Sequence, residues 1–394
     1  MAVPHPKIEA LVEPAVLRWA RESAGLSPEE AAHSLQTKNK RIEAWESGEK
    51  RPTMPQLRKM ATVYKRLLSD FYLPAPPAEK PLPHDFRRLP GDGIFHYSRG
   101  LRYQLRQAGL RRTLALDLAA ELEMTWPELP VFKSEADTEK LGSEVRKLLR
   151  VELAEQRTWR EPRKSYNAWR GRIEAAGVLV FQVTGVPPSE MLGFSLTEQP
   201  LPVVGINRKL APNGRTFTLL HEFVHVLLRQ SSLCDLEEDF VRPPQEQRTE
   251  IFCNAVAAAA LVPKDALLSE PLVSPHSKPR DWSDDELAAL ARNFGVSQHV
   301  ILRRLLTAGR TTQAFYTSRQ AVWRVYEAPK ARDEADEEFR RNMPQEVLSD
   351  LGRPFVRMVI DSYQNSNLSL SDVSRHLGLR AAQVAKVREL ALRS

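Results

Sequence analysis

Two histidines and two glutamates carry the chemistry this sequence can do. The run RTFTLLHEFVHVLLR, residues 215–229, contains a His-Glu-x-x-His motif at His221, Glu222 and His225. Its apolar residues read as a buried helix, in which His221 and His225 lie one turn apart on one face and can share a metal ion. Glu222 is then placed to act as general base on a metal-activated water, the chemistry of peptide hydrolysis. A catalytic zinc site needs a third protein ligand and leaves a fourth position open. The acidic residues that follow are Asp235, Glu237, Glu238, Asp239, Glu246 and Glu250. Those around Glu237 fall in a polar, proline-containing stretch expected to face solvent. Glu250 opens the helical run EIFCNAVAAAALVP, with Asn254 one turn later. Small side chains at Ala255 and at residues 257–260 allow that helix to approach another closely, so Glu250 is the expected third ligand. Spacing fixes no oxyanion helper; Arg215 and Tyr166 are the candidates.

These side chains need a scaffold. Three short apolar runs, residues 178–183, 191–196 and 202–207, have strand composition and turn residues between them, so a small sheet is expected to feed into the histidine helix. Asn213-Gly214 reads as a turn immediately before that helix. Upstream, residues 101–176 show about three helical clusters. Downstream, residues 282–309 give two helical stretches around Phe294-Gly295-Val296-Ser297, and residues 355–392 repeat the idea around Gly378. Both are helix-turn-helix-like shapes that also serve as inert packing units. Residues 328–341 are a charged, solvated segment. His299 and His376 fall on helices and are not expected to be ligands.

The first seventy-odd residues are organised by helix punctuation. Residues 14–74 read as five short helices: Val16, Leu17, Ala20 and Ala24 recur at helical spacing, and Gly25 ends the first. Ser27-Pro28-Glu29-Glu30 is a capping box with proline at the first helical position. A turn at Gln36-Thr37 leads to a helix over residues 38–46, closed by Gly48. Thr53 caps the next, whose apolar face is Leu57, Met60, Ala61 and Tyr64. Residues 73–92 hold many prolines and no helical period, which marks a linker; His84 and His96, in or beside it, read as surface residues.

At 394 residues, two to four domains are expected. No apolar run approaches the ~18 residues of a membrane span, and the N-terminus lacks a signal-peptide pattern, so a cytoplasmic location is expected. Cys234 and Cys253 are the only cysteines and form no C-x-x-C pair, which argues against a disulfide framework; Cys253 reads as a packed side chain. Charge is uneven: residues 181–275 carry 7 basic against 11 acidic side chains, the rest of the chain 50 against 39. An acidic pocket suits a divalent cation, and basic flanks suit phosphate.

Residues 14–74 resemble the Xre family of helix-turn-helix repressors, whose I-x-x-W-E-x-G-x-x-x-P-T pattern stands here as Ile42, Trp45, Glu46, Gly48, Pro52 and Thr53. The resemblance implies that Lys38, Asn39, Lys40, Arg41 and Glu43 lie near DNA, lysines on phosphates and Asn39 or Arg41 on a base edge. The sequence departs at Gln36 and Thr37, where the family often has glycine and a hydrophobic residue. Residues 193–263 resemble the ImmA/IrrE metallo-endopeptidases through GFSL at 193–196, the P-V-V-G-I-N run ending at Asn207, RTFTLLHEFVH, and E-x-x-x-N with small residues and a terminal proline. That likeness implies zinc ligation by His221, His225 and Glu250 and general-base duty for Glu222. Phe252 departs from it, standing where a second acidic residue is frequent.

The expected fold is mostly α with a small α+β zincin-like metallopeptidase core, an N-terminal five-helix helix-turn-helix domain and a helical C-terminal region. Its expected segments are 1–74, helix-turn-helix; 75–98, linker; 99–176, helical support; 177–275, peptidase core; 276–328, helix-turn-helix-like; and 329–394, C-terminal helices. The resemblance implies a regulatory zinc endopeptidase that cuts a repressor-type partner, its first domain recognising DNA or that partner. The alternative is a DNA-binding regulator or antitoxin-like protein whose metal site is structural or vestigial.

Overall fold

Capping chemistry sets the helix boundaries of the first unit. In the computed structural model, which describes residues 8–77, 97–234, 244–326 and 343–392, helix α1 (Pro14–Ser23) is followed by α2 (Pro28–Leu35), α3 (Asn39–Glu46), α4 (Met54–Tyr64) and a 3-10 turn (Leu68–Tyr72). The Ser27 hydroxyl accepts from the Glu30 N–H at 3.2 Å, and the Glu30 carboxylate accepts from the Ser27 N–H at 2.8 Å, closing the capping box. The expected fifth helix is the 3-10 turn, whose Phe71 is buried among Leu17, Ile42, Trp45, Met60 and Tyr64. Gln36 holds a left-handed conformation at φ +54°. That costs a non-glycine residue about 1–2 kcal/mol, and Lys59 offsets it by donating to the Leu35 carbonyl at 2.8 Å and to Gln36 Oε1 at 3.1 Å.

By contact, the described residues up to 107 form one unit and those from 108 on a second, and each is described by itself. Helix α5 (Arg99–Glu121) therefore belongs to the first as far as residue 107 and to the second beyond it. The second unit continues through α6 (Thr138–Leu148), α7 (Leu153–Gln156) and α8 (Pro162–Ala175) to the strands β1 (Leu179–Val183), β2 (Gly193–Leu196) and β3 (Val203–Asn207). Helix α9 (Pro212–Leu228) is followed by β4 (Ser232–Cys234) and α10 (Pro244–Leu261). The sheet order is β1-β3-β2-β4, with β1 parallel to β3 and the other pairs antiparallel. β4 was not expected from the sequence: three residues are too few to show a period.

Two boundaries and one contact differ from the sequence reading. Asn213 and Gly214 lie in the first turn of α9, which Pro212 opens, rather than in a turn ahead of it. Glu250 stands inside α10 rather than at its start. Close approach by the alanine run serves α6: a Cβ on Gly142 would sit 2.7 Å from Ala259 Cβ and 2.8 Å from Ala260 N.

One apolar core spans the expected support, peptidase and helix-turn-helix-like segments. Val145, Trp169 and Ile173 join Phe223, Val224, Val256 and Leu261, and α12 (Asp284–Phe294) and α13 (Gln298–Thr307) add Leu287, Leu290, Phe294, Ile301 and Leu305. Buried polar groups tie the same elements. Gln156 donates to the Leu261 and Phe294 carbonyls, both at 2.8 Å, and Arg304 donates to the Val262 carbonyl at 2.8 Å while pairing with Glu139. The α12–α13 helix-turn-helix shape thus spends its apolar faces inside this core. The short α11 (Lys264–Leu268) precedes that pair and the longer α14 (Gln313–Tyr326) follows it. Four helices follow, α15 (Met343–Leu351), α16 (Arg353–Gln364), α17 (Leu370–Leu377) and α18 (Ala381–Leu392). They meet β1 through Gln182, which donates to Ser349, and through Phe355, edge-on to Phe181 with centroids 5.8 Å apart. Among the described residues, no helix is long and apolar enough to cross a membrane.

Candidate metal centre

Helix α9 is apolar on nearly every side because β2, β3, α8 and α10 all pack on it, so its polar residues at 221, 222 and 225 are buried by position. His225 and Glu222 are fully buried, and His221 and Glu250 nearly so. One turn of helix separates the two histidines and brings His221 Nε2 to 3.1 Å from His225 Nε2. From α10, Glu250 reaches His221 Nε2 at 3.3 Å and His225 Nε2 at 3.1 Å, one carboxylate oxygen to each. Among the described residues, these three form the group able to hold a metal ion. A tetrahedral ion with ligands at about 2.0–2.1 Å needs donor atoms about 3.3 Å apart, so the spacing fits. Cys234 has no described side chain, and the acidic residues 235–239 and 246 also lie outside the described side chains.

Proton affinities follow from the same crowding. Burial works against a charged His221, but Glu250, with Glu222 and a hydrogen bond that the imidazole donates to Asn254, raises it above the ordinary histidine value. Burial also opposes an ionised Glu250, yet His221 and His225 hold that carboxyl well below its usual range. Burial, with Glu250 and Glu222 nearby, pushes the Cys253 thiol well up, which suits the packed role expected of it. Phe252 is buried in the core.

Glu222 lies against the sheet. A Cβ on Gly193 would come within 2.9 Å of Glu222 Oε1 and 3.0 Å of its Cγ, so only glycine leaves room for this side chain there. Ser232 of β4 donates its hydroxyl to Glu222 Oε2 at 2.7 Å. Gly193, Ser195 and Ser232 were missed as site residues. Two of them lie in the GFSL run, but nothing in the sequence says which face of that strand meets the helix.

Of the two oxyanion candidates, Arg215 is engaged elsewhere, while the buried Tyr166 hydroxyl has no hydrogen-bond partner among the described residues. Arg215 donates to the Leu210 carbonyl at 2.9 Å and to Gln182 Oε1 at 3.1 Å, and its guanidinium lies 5.4 Å from the centre of the Tyr166 ring, which is buried in the core.

Residues 174–306, from the end of α8 into α13, match the family model described as the IrrE N-terminal-like domain, a metallopeptidase family, and residues 17–71 match a helix-turn-helix model. The chain thus carries a helix-turn-helix region at residues 17–71 ahead of an IrrE-like region at residues 174–306. No curated protein and no solved structure matches it. The IrrE-like match takes in the whole His-His-Glu cluster and runs past residue 275, as the shared core does. In the helix-turn-helix domain, Lys38, Lys40, Arg41 and Glu43 are exposed at the start of α3. Asn39 is half-buried, and its amide donates to Glu29 at 3.0 Å, so reading a base would require giving up that bond.

Proposed function

We propose that this protein is a regulatory, site-specific zinc metallo-endopeptidase that hydrolyses a peptide bond in a repressor-type transcription factor and thereby controls transcription. The observation that carries the reading is the convergence of His221, His225 and Glu250 within 3.1–3.3 Å of one another beside the buried carboxylate of Glu222. Two imidazoles and one carboxylate are a donor set of catalytic zinc sites, with a position left for water. When bound there, zinc supplies a Lewis acid and an activated water. Glu222 takes the proton from the attacking water on its carboxylate and delivers it to the leaving amine nitrogen. A purely structural metal site would have no use for a buried base at this position, which favours the enzyme over a vestigial domain.

The test joins metal analysis to a Glu222→Gln variant of the full chain. Zinc is expected in both proteins, with cleavage of a co-expressed repressor falling by about 100-fold or more in the variant. Equal repressor cleavage, or equal cellular output, in both would sink the peptidase reading. The exposed basic start of α3 favours a second role, DNA binding. Replacing Lys40 and Arg41 with alanine is expected to weaken operator binding and flatten its salt dependence; unchanged binding would point to protein docking instead.

A further inference from the structure

The sheet does more than support α9. Ser195 and Ser232 are cross-strand partners in β2 and β4, both fully buried, and they form a chain of hydroxyls ending on Glu222. Ser232 Oγ lies 2.7 Å from Glu222 Oε2, and Ser195 Oγ lies 2.8 Å from Ser232 Oγ. The backbone N–H of Ser232 also donates to Ser195 Oγ, at 3.3 Å.

The donor directions are fixed by chemistry. A carboxylate acting as base carries no proton, so the Ser232 hydroxyl must donate to it. Having given its proton to Glu222, Ser232 can only accept from its neighbour, so Ser195 donates to Ser232. The Ser195 lone pair is taken in turn by the Ser232 N–H. Each hydroxyl rotor is thereby committed, and the carboxylate is held from the sheet side while Gly193 leaves space for its stem.

We infer that Ser232 is a positioning residue for Glu222, fixing the orientation of the proton-accepting carboxylate through the Ser195–Ser232 hydroxyl chain. This rests on the peptidase reading above. A buried serine at this place could instead satisfy its own polar group on any nearby acceptor, so the experiment must see orientation and not folding alone.

Zinc-loaded full-length protein is first profiled on a proteome-derived peptide library, and the best-cleaved peptide is used for kinetics. In Ser232→Ala, kcat is expected to fall about 10–100-fold with KM and zinc content nearly unchanged, the range seen when residues supporting a site are removed. Ser232→Thr, which keeps the hydroxyl, is expected to restore most of kcat. Crystals of the metal-free proteins supply a readout independent of turnover: one Glu222 rotamer in the wild type and in Ser232→Thr, a displaced or split carboxylate in Ser232→Ala. An unchanged kcat in Ser232→Ala, or an unmoved Glu222 there, overturns the inference. Should Ser232→Ala fail to fold, Ser195→Ala decides: a smaller fall in kcat supports the chain, and wild-type kcat overturns it. If the wild type cleaves neither library peptides nor the co-expressed repressor, the peptidase reading fails, while the metal-free crystals still judge the hydroxyl chain.

Discussion

Each unit of this protein buries a cluster of charge, and the two clusters are built differently. In the helix-turn-helix unit, Arg21 of α1 meets Glu46 of α3 in a two-pronged bond, Nε to Oε1 at 2.7 Å and Nη2 to Oε2 at 2.8 Å. Cation and anion match, and the guanidinium also donates to the Leu26 carbonyl at 2.7 Å. The IrrE-like unit instead brings two imidazoles and the carboxylates of Glu250 and Glu222 into one buried place. Neutral imidazoles and carboxylates all offer lone pairs, and such a set is completed by a cation. A closed pair holds helices together; an arrangement of converging donors is a site.

The largest test of that contrast is to remove a donor. Glu250→Ala should lower zinc affinity by more than about 100-fold, beyond what loss of an outer partner does. Stripping zinc with a chelator should lower only the unfolding transition of the IrrE-like unit, by about 4 kcal/mol at a thousandfold excess of metal over its Kd. A chelator that also melted the helix-turn-helix unit would break the comparison.

The reciprocal experiment breaks the closed pair. Glu46→Ala leaves the buried Arg21 with the exposed Glu22, 3.3 Å from its Nη2, in place of its two-pronged partner, and should cost about 3 kcal/mol, read as a lowered transition of the first unit with zinc content unchanged. Replacing both partners by apolar residues, Arg21→Met with Glu46→Leu, should recover most of that loss. Equal damage from the single and double variants would mean that the pair contributes more than its mutual neutralisation.

The smallest effect concerns a third ionic group, which is neither closed nor a site. Asp350 of α15 pairs with Arg208 at 3.1 Å, with Glu346 also on that arginine, and burial lifts its carboxyl to about 6 in spite of Arg208. Its folded value lies above the ordinary one, so the folded protein binds the extra proton between the two. Lowering the pH through 6 towards 4 should therefore stabilise the wild type relative to Asp350→Asn, by on the order of 1–2 kcal/mol after allowing for partial exposure. Thermal unfolding of both proteins across that range measures it, and parallel curves would show that Asp350 titrates normally.

Much of the candidate site was legible because its spacing is local. His221 and His225 are one helical turn apart in any α-helix, and Glu250 stood out from its acidic competitors by adjoining the alanine-rich helical run, although the helix itself starts earlier, at Pro244. The helix-turn-helix unit was legible for a similar reason: its boundaries are set by caps within four residues. Glu46 shows the limit. The W-E-x-G pattern marks it, but its partner lies 25 residues away on α1, and only packing pairs them. Ser195 and Ser232 were invisible because a hydrogen bond across strands depends on register, and β4 is too short to announce itself.

What the sequence by itself determined is the set of groups whose geometry follows from helix period: two imidazoles, the glutamate between them, and the capped helices of the first unit. The tertiary structure decided which carboxylate from another helix meets those imidazoles, and that the expected support, peptidase and helix-turn-helix-like segments share one core. It also decided which strand face holds Glu222. The physical reason is one of range. Period and capping act over a few residues of one chain segment, whereas donor convergence and strand register arise only when separate elements are packed.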